Sequence, residues 1–235
     1  MAKNKMSAWI WLGFPVLFLT FIVSVLLYDF ELGKNMVGKE NNLVELGTVI
    51  VLIPGIIAGI QCFRLRRFIL NRRLIIWVLL VTCACVYFAG EEISWGQQLF
   101  KWGTPEQLHA INDQNETNFH NISSWFDQKP RVLVALWVLI GGLVLPLWRF
   151  IRRTNYSPDG WRYWFWPDYV CLPTAVLVFI VKIPAKLKDF FDYRLFEHNV
   201  RYSELQEFYI ALFLSLYLYS FYTRLKKINT TETRE

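Results

Sequence analysis

Six long apolar blocks constrain the fold of this chain more than any other feature. Hydrophobic residues make up 54% of its 235 residues, and they come in blocks rather than in alternating patterns. A soluble helical core would not require such runs, whereas a helix of roughly 20 residues spans the hydrocarbon core of a bilayer. We therefore predict an all-α polytopic membrane bundle of about six transmembrane helices in a single domain. The predicted spans are 8–28, 43–63, 74–89 (extending toward 98), 132–148, 167–183 and 205–222.

The basic residues predict the orientation of this bundle. They collect in every second connector, whereas the alternate connectors (29–42, 90–131 and 184–204) mix acids with bases. The positive-inside rule then places both termini in the cytoplasm. The net charge of +6 is spread over these short segments, and no nucleic-acid motif accompanies it, so we expect no nucleic-acid partner. The basic residues that set the orientation are Arg64, Arg66, Arg67, Arg72, Arg73, Arg149, Arg152, Arg153, Arg162, Arg224, Lys226 and Lys227.

This orientation places the three histidines and most of the acids on the outer face. Two adjacent carboxylates, Glu91 and Glu92, end the third apolar block. An ionisable residue at the membrane is a functional-site hypothesis by default, because desolvating it is costly. If the helix continues, Glu91 and Trp95 share a face with Gln98, and Glu92 lies about 100° away. The alternative is an interfacial helix end that is hydrated by lipid headgroups.

A polar segment, residues 112–121, follows in the same outer connector. Glu116 and His120 are at i and i+4 on a helix, and in an extended chain they alternate with Asn118 onto one side. Both geometries bring a carboxylate and an imidazole together, which is a common acid/base or metal-ligand pair. The spacing matches no standard zinc motif. A solvated polar loop is the alternative interpretation.

Two further clusters lie on the same face. Glu45 opens the second span, where the helix dipole also favours an acid. Arg201, Glu204 and Glu207 precede or open the last span. In the functional interpretation, Arg201 binds an anionic group and Glu204 or Glu207 completes a metal site. In the alternative, these residues form a salt-bridged scaffold.

A resemblance rests on the motifs Gly90-Glu-Glu-Ile-Ser-Trp-Gly-Gln97 and Asn112-x-Gln-x-Glu-x-Asn-x-His-Asn121. Together they resemble a widespread family of uncharacterised bacterial polytopic membrane proteins. In that family an acidic turn precedes the second helix, which fits Glu40 and Glu45 here. Glutamates near the start of the family's last helix match Glu204 and Glu207. The resemblance implies a bacterial inner membrane and a shared site, but no reaction. Gln98 stands where family members often have Arg.

We expect a membrane enzyme with a metal-assisted site on the periplasmic face, acting on a lipid or lipid-linked substrate by hydrolysis or group transfer. Mixed oxygen and imidazole ligands suit Zn, Mn or Fe. An ion or small-solute transporter and a non-catalytic accessory protein of envelope assembly are the alternatives. The candidate catalytic residues are Glu91, Glu92, Glu116 and His120; the substrate-binding candidates are Trp95, Gln97, Asn118, Asn121 and Arg201; the metal ligands are Glu92, His120 and Glu204.

The orientation is testable with reporter fusions. A fluorescent protein that matures only in the cytoplasm should fluoresce when fused after Glu235, because the last connector is basic. Alkaline phosphatase, which is active only outside the cytoplasm, should be active when fused after Thr104. The opposite pattern at both positions would contradict the predicted orientation.

Overall fold

The computed structural model describes residues 6–38, 42–69, 71–104, 124–192 and 200–232. Within these ranges all regular structure is helical, which confirms the predicted all-α fold. The helices are α1 (Trp9–Tyr28), α2 (Phe30–Gly38), α3 (Leu43–Arg64), α4 (Arg72–Glu92), α5 (Gln97–Phe100), α6 (Ser124–Trp137, continued through Val138–Val144 and Leu145–Arg152), α7 (Trp161–Phe165), α8 (Leu172–Ile180), α9 (Ile183–Phe191) and α10 (Tyr202–Glu232).

Six segments of the described chain are long and apolar enough to cross a bilayer. They are Trp9–Tyr28, Leu43–Arg64, Arg72–Glu92, Lys129–Arg152, Trp161–Phe191 and Tyr202–Thr230. The predicted multi-pass bundle is thereby confirmed. The spans are longer than the apolar blocks because their polar ends are also helical.

The fifth span is not one continuous helix. It consists of α7, α8 and α9, with interruptions around residues 166–171 and 181–182. Pro173 and Pro184 lie in the first turns of α8 and α9, where a missing N–H costs least. The Gln206 Nε2 donates to the Val178 carbonyl at 3.4 Å and helps to satisfy the backbone near the second interruption.

Pro54 does not break α3, although the Pro54–Gly55 pair could have marked a second broken span. It lies inside the continuous helix Leu43–Arg64. Gly55 instead allows a close approach to α10, because a Cβ added at Gly55 would lie 2.6 Å from the Ser215 Cα. Small residues at such crossings let membrane helices pack backbone to backbone.

Helix α10 lies at the centre of the bundle. In its most apolar window 83% of the residues are buried, against 17–39% in the other spans, yet its mean hydropathy of 1.2 is the lowest of the six. The surrounding helices expose large apolar side chains, such as Leu27 (73% exposed) and Leu133 (69%). A water-soluble protein rarely exposes so much apolar surface, whereas a bilayer accepts it. The more polar helix is therefore the one that other helices shield from lipid.

Two buried tyrosines fix α10 against its neighbours. The Tyr209 hydroxyl donates to the Pro15 carbonyl of α1 at 2.8 Å. The Tyr217 hydroxyl accepts from the Trp77 Nε1 of α4 at 2.8 Å and lies 3.1 Å from the Phe165 carbonyl of α7. Since the bilayer offers no water to such groups, each contact sets the position of a helix relative to α10.

Arg224 fixes the other end of α10. Its buried guanidinium donates to the Tyr163 carbonyl at 2.5 Å through Nη1, and through Nε to the Ser220 carbonyl at 3.3 Å. The guanidinium carbon also lies 4.9 Å from the centre of the Tyr163 ring, within the range of a cation–π contact. This end of α10 is therefore attached to α7 by a charged group.

Replacing Tyr217 by Phe should destabilise the folded protein by about 1–3 kcal/mol, because the partly buried Trp77 N–H then loses its acceptor. Thermal unfolding in detergent measures the effect. Tyr219→Phe is the matched control, since Tyr219 is 37% exposed on the same helix. Equal unfolding midpoints for the two variants would show that the Tyr217 contact does not stabilise the bundle.

Candidate functional site

Three carboxylates meet where α4 ends and α10 begins. Glu92 is the last residue of α4, and Glu204 and Glu207 lie in the first two turns of α10. One oxygen from each lies within 4.8 Å of the other two, and all three side chains are half-buried. Glu204 and Glu207 share a helix face because they are three residues apart. We refer to Glu92, Glu204 and Glu207 as the acidic cluster.

The charges around the acidic cluster only partly compensate it. The Arg131 Nη2 of α6 lies 2.6 Å from the Glu207 Oε1, with both side chains largely buried. The positive charges of Arg131 and Arg201 also attract the Glu204 carboxylate. A fourth carboxylate, Glu45, repels both Glu92 and Glu204. Acids therefore outnumber bases among the described residues here, and neighbouring carboxylates in a poorly solvated site share either protons or a cation.

The short separation of Glu92 and Glu207 shows the same requirement, because one oxygen of each lies within 4.8 Å of the other. Ionised carboxylates only accept hydrogen bonds, so two of them at this separation repel each other unless they share a proton or bind a cation. The acidic cluster can thus hold either protons or a metal ion.

A cavity of about 140 Å³ lies beside the acidic cluster and is lined by residues of α4, α6 and α10. Glu92, Arg131 and Glu207 line its polar end, and its deeper walls are apolar, with Ile210 and Leu214 on α10. Leu214 is two helical turns beyond Glu207, which corresponds to about 10 Å along the helix axis. We call this cavity the apolar groove; its other apolar walls are Ala84 and Phe88 of α4 and Val134 of α6.

The turn after α4 corrects one expectation from the sequence. The helix does not continue toward residue 98: it ends at Glu92, and Ser94, Trp95 and Gly96 adopt positive φ angles of 46°, 55° and 95°. The Trp95 Nε1 donates to the Glu91 Oε1 at 2.6 Å, a charge-assisted bond that helps to hold this unfavourable backbone. The contact between Glu91 and Trp95 thus forms through a left-handed turn rather than through a helix face.

The structure separates the two adjacent acids of the motif. Glu92 belongs to the acidic cluster, whereas Glu91 is buried and accepts a hydrogen bond from Trp95. Glu91 also borders the apolar groove. Gln97 donates to the Thr104 Oγ1 at 2.8 Å and so closes the segment that contains α5. The catalytic role of Glu91 and the substrate-binding roles of Trp95 and Gln97 stay predictions.

The remaining candidates have different positions. Glu45 accepts from the Asn42 backbone N–H at 3.3 Å in a capping box, which supports the interpretation that it opens the helix. A role for Glu45 in the site stays a prediction. Arg201 is exposed, and its positive charge attracts the Glu204 carboxylate. Four further candidates lie outside the described residues: Glu116, Asn118, His120 and Asn121.

Arg131 is the site residue that the sequence reasoning missed. It stands between Pro130 and the apolar run that begins at Val132, a position that by itself indicates only the end of a connector. The sequence does indicate a special role for this residue. Lys129 and Arg131 are basic, yet they lie at the span end that the positive-inside rule assigns to the outer face. Such an exception indicates that a charge is retained for a local contact.

Replacing Glu92 by Gln should raise the unfolding temperature in buffer that contains a metal chelator. The substitution removes one of the repelling charges and keeps a hydrogen-bonding side chain beside Glu207, so we expect a stabilisation of about 1 kcal/mol. Glu31→Gln is the control, because Glu31 on α2 is 68% exposed. A loss of stability in Glu92→Gln would mean that the Glu92 carboxylate supports the fold.

In comparisons with known proteins, no family model, no curated protein and no solved structure matches this chain. The resemblance drawn from the Gly90–Gln97 motif therefore stays a prediction.

Proposed function

We propose that this protein is an integral membrane enzyme that binds a divalent metal ion at Glu92, Glu204 and Glu207. It acts on a lipid or lipid-linked substrate by hydrolysis or group transfer. The observation that supports this proposal is the position of the acidic cluster at the polar end of the apolar groove. The groove supplies a place for an acyl or isoprenoid chain, and the cluster supplies a place for chemistry at headgroup depth.

A bound metal ion would compensate the negative charge of the acidic cluster. It would offset the repulsion between the carboxylates, and it could polarise a substrate oxygen or lower the pKa of a bound water. The ligands in the described chain are all carboxylate oxygens, which favours Mn²⁺ or Mg²⁺. Zn²⁺ or Fe²⁺ would be favoured if His120 joined the cluster, as the sequence suggests.

The groove argues for a lipid rather than a soluble substrate. Its deeper walls come from three membrane spans, α4, α6 and α10, and its apolar length suits a hydrocarbon chain. A soluble substrate would place polar groups against these apolar walls, which is unfavourable. With the orientation predicted from the basic connectors, the headgroup would lie at the periplasmic face of a bacterial inner membrane.

A transporter of ions or small polar solutes is the second candidate. The interrupted fifth span favours it, because transporter sites are often built on broken helices. However, the acidic cluster lies at the ends of α4 and α10, whereas transporter sites usually lie near the bilayer midplane. The cluster is therefore better suited to chemistry at headgroup depth.

Metal content tests the proposal. Protein purified in detergent without chelators and then exposed to Mn²⁺ should retain near-stoichiometric metal after desalting. Glu92→Gln and Glu204→Gln should lose it, whereas the control Glu31→Gln should keep it. Gel filtration confirms that each variant is folded. Well-folded wild type that retains neither Mn²⁺, Mg²⁺ nor Zn²⁺ would exclude the metalloenzyme and favour the transporter.

A further inference from the structure

Helix α9 lies at the membrane face where α10 begins. Tyr163 of α7 accepts from Arg224 near the end of α10, whereas the Val178 carbonyl of α8 accepts from Gln206 in the second turn of α10. The fifth span therefore runs antiparallel to α10. Helix α9 begins at Ile183, beyond Val178, so it lies at the level of the acidic cluster or further out, at headgroup depth.

The side chains of α9 are arranged as in a helix that lies along a membrane surface. No residue of α9 is buried within the protein, and Phe190 and Phe191 are each 75% exposed. Lys186 and Lys188 lie on the two flanks of an apolar stripe, and lysines at such positions extend toward lipid headgroups. The stripe is about 100° wide on the helix and consists of Ile183, Leu187, Phe190 and Phe191.

A cavity of about 310 Å³ is lined by this stripe together with α8 and the second turn of α10. Lys182, Lys186 and Gln206 are the polar residues of its lining. The Lys186 N–H donates to the Lys182 carbonyl at 3.0 Å, so the two lysines are one helical turn apart on the same side of the chain. We call this cavity the lysine groove; its apolar walls are Phe179, Ile183, Leu187, Phe190 and Phe191.

The charges of the two lysines in the lysine groove are only weakly compensated. The Lys186 Nζ lies 3.6 Å from the Asp189 Oδ2, but the two side chains are 61% and 59% exposed, and such surface pairs contribute little. Lys182 is half-buried and forms no ion pair with any residue that the structure describes. Like charges one turn apart repel each other, and an anion between them would remove the repulsion.

We propose that the lysine groove binds an anionic phospholipid of the surrounding membrane. Its phosphate lies between Lys182 and Lys186, and one acyl chain follows the apolar walls. The charge of this region is complementary to such a headgroup, because residues 182–191 contain three lysines and one aspartate. The inference goes beyond the proposed function and does not depend on it, since the lysine groove and the apolar groove share no lining residue.

The lining of the lysine groove favours an anionic phospholipid over other ligands. A soluble phosphate could pair with the lysines, but it would leave the apolar walls uncovered. A zwitterionic phospholipid would cover these walls, but it would bring a cation of its own close to Lys182 and Lys186. An anionic phospholipid satisfies both parts of the lining, and the bilayer presents it at the depth of α9.

Three probes separate the contributions of charge and acyl chain. Dioleoyl phosphatidylglycerol has a net negative headgroup, dioleoyl phosphatidylcholine has the same chains with a zwitterionic headgroup, and glycerol 3-phosphate has the phosphate without chains. Native mass spectrometry of detergent-purified protein measures the binding of each. We expect phosphatidylglycerol to bind about tenfold more tightly than either of the other two, and this preference should weaken at high salt.

Two lysines on the same helix provide a matched pair of variants. Lys186→Gln should reduce the affinity for phosphatidylglycerol about fivefold, because one lysine near an anionic headgroup contributes about that much, and Lys186→Arg should retain the affinity. Lys188→Gln is the control, since Lys188 is also exposed on α9 but does not line the lysine groove. Gel filtration confirms that each variant is folded.

Three results would overturn the inference. Equal binding of phosphatidylglycerol and phosphatidylcholine by the wild type would exclude recognition of the negative headgroup. An equal loss in Lys186→Gln and Lys188→Gln would indicate general attraction to α9 rather than a site. Binding of glycerol 3-phosphate as tight as that of phosphatidylglycerol would show that the acyl chain makes no contribution. Lys186→Gln should retain Mn²⁺ as the wild type does, so the lipid site and the metal site can fail separately.

Discussion

The packing of α10 at the centre of the bundle is the interaction on which the rest of the structure depends. Its tyrosine hydroxyls hold α1, α4 and α7, and its small Ser215 admits α3 at close range. Because the bilayer has no water for these groups, the buried polar side chains of α10 must find their partners within the protein. The first turns of α10 then bring Glu204 and Glu207 to the end of α4, so the acidic cluster follows from the packing.

The acidic cluster lowers the stability of the folded protein. Three carboxylates meet in a half-buried site, and the ion pair between Arg131 and Glu207 compensates the charge of one of them. A structural network would pair its charges more evenly, since an uncompensated buried charge destabilises a protein by several kcal/mol. Sites that bind a ligand accept such a cost, because the ligand removes it. The apolar groove beside the cluster indicates where that ligand lies.

The spans were predictable from the sequence, because runs of about 20 apolar residues have few other stable arrangements. The grouping of Glu92 with Glu204 was also predicted, from acids that end one span and open another. Neither Arg131 nor the left-handed turn at Trp95 was predicted. The first depends on how α6 packs against α10, and the second on a contact between Trp95 and Glu91 that no periodicity encodes. The contribution of His120 lies outside the described residues.

The central claim is that the acidic cluster binds a divalent cation. An experimental structure of the protein with Mn²⁺, with diffraction data collected at the manganese absorption edge, tests it most directly. If the cluster binds a cation, one anomalous peak should lie at roughly 2.0–2.3 Å from carboxylate oxygens of Glu92, Glu204 and Glu207. Ordered carboxylates at this position with no anomalous peak between them, in protein saturated with Mn²⁺, would contradict it.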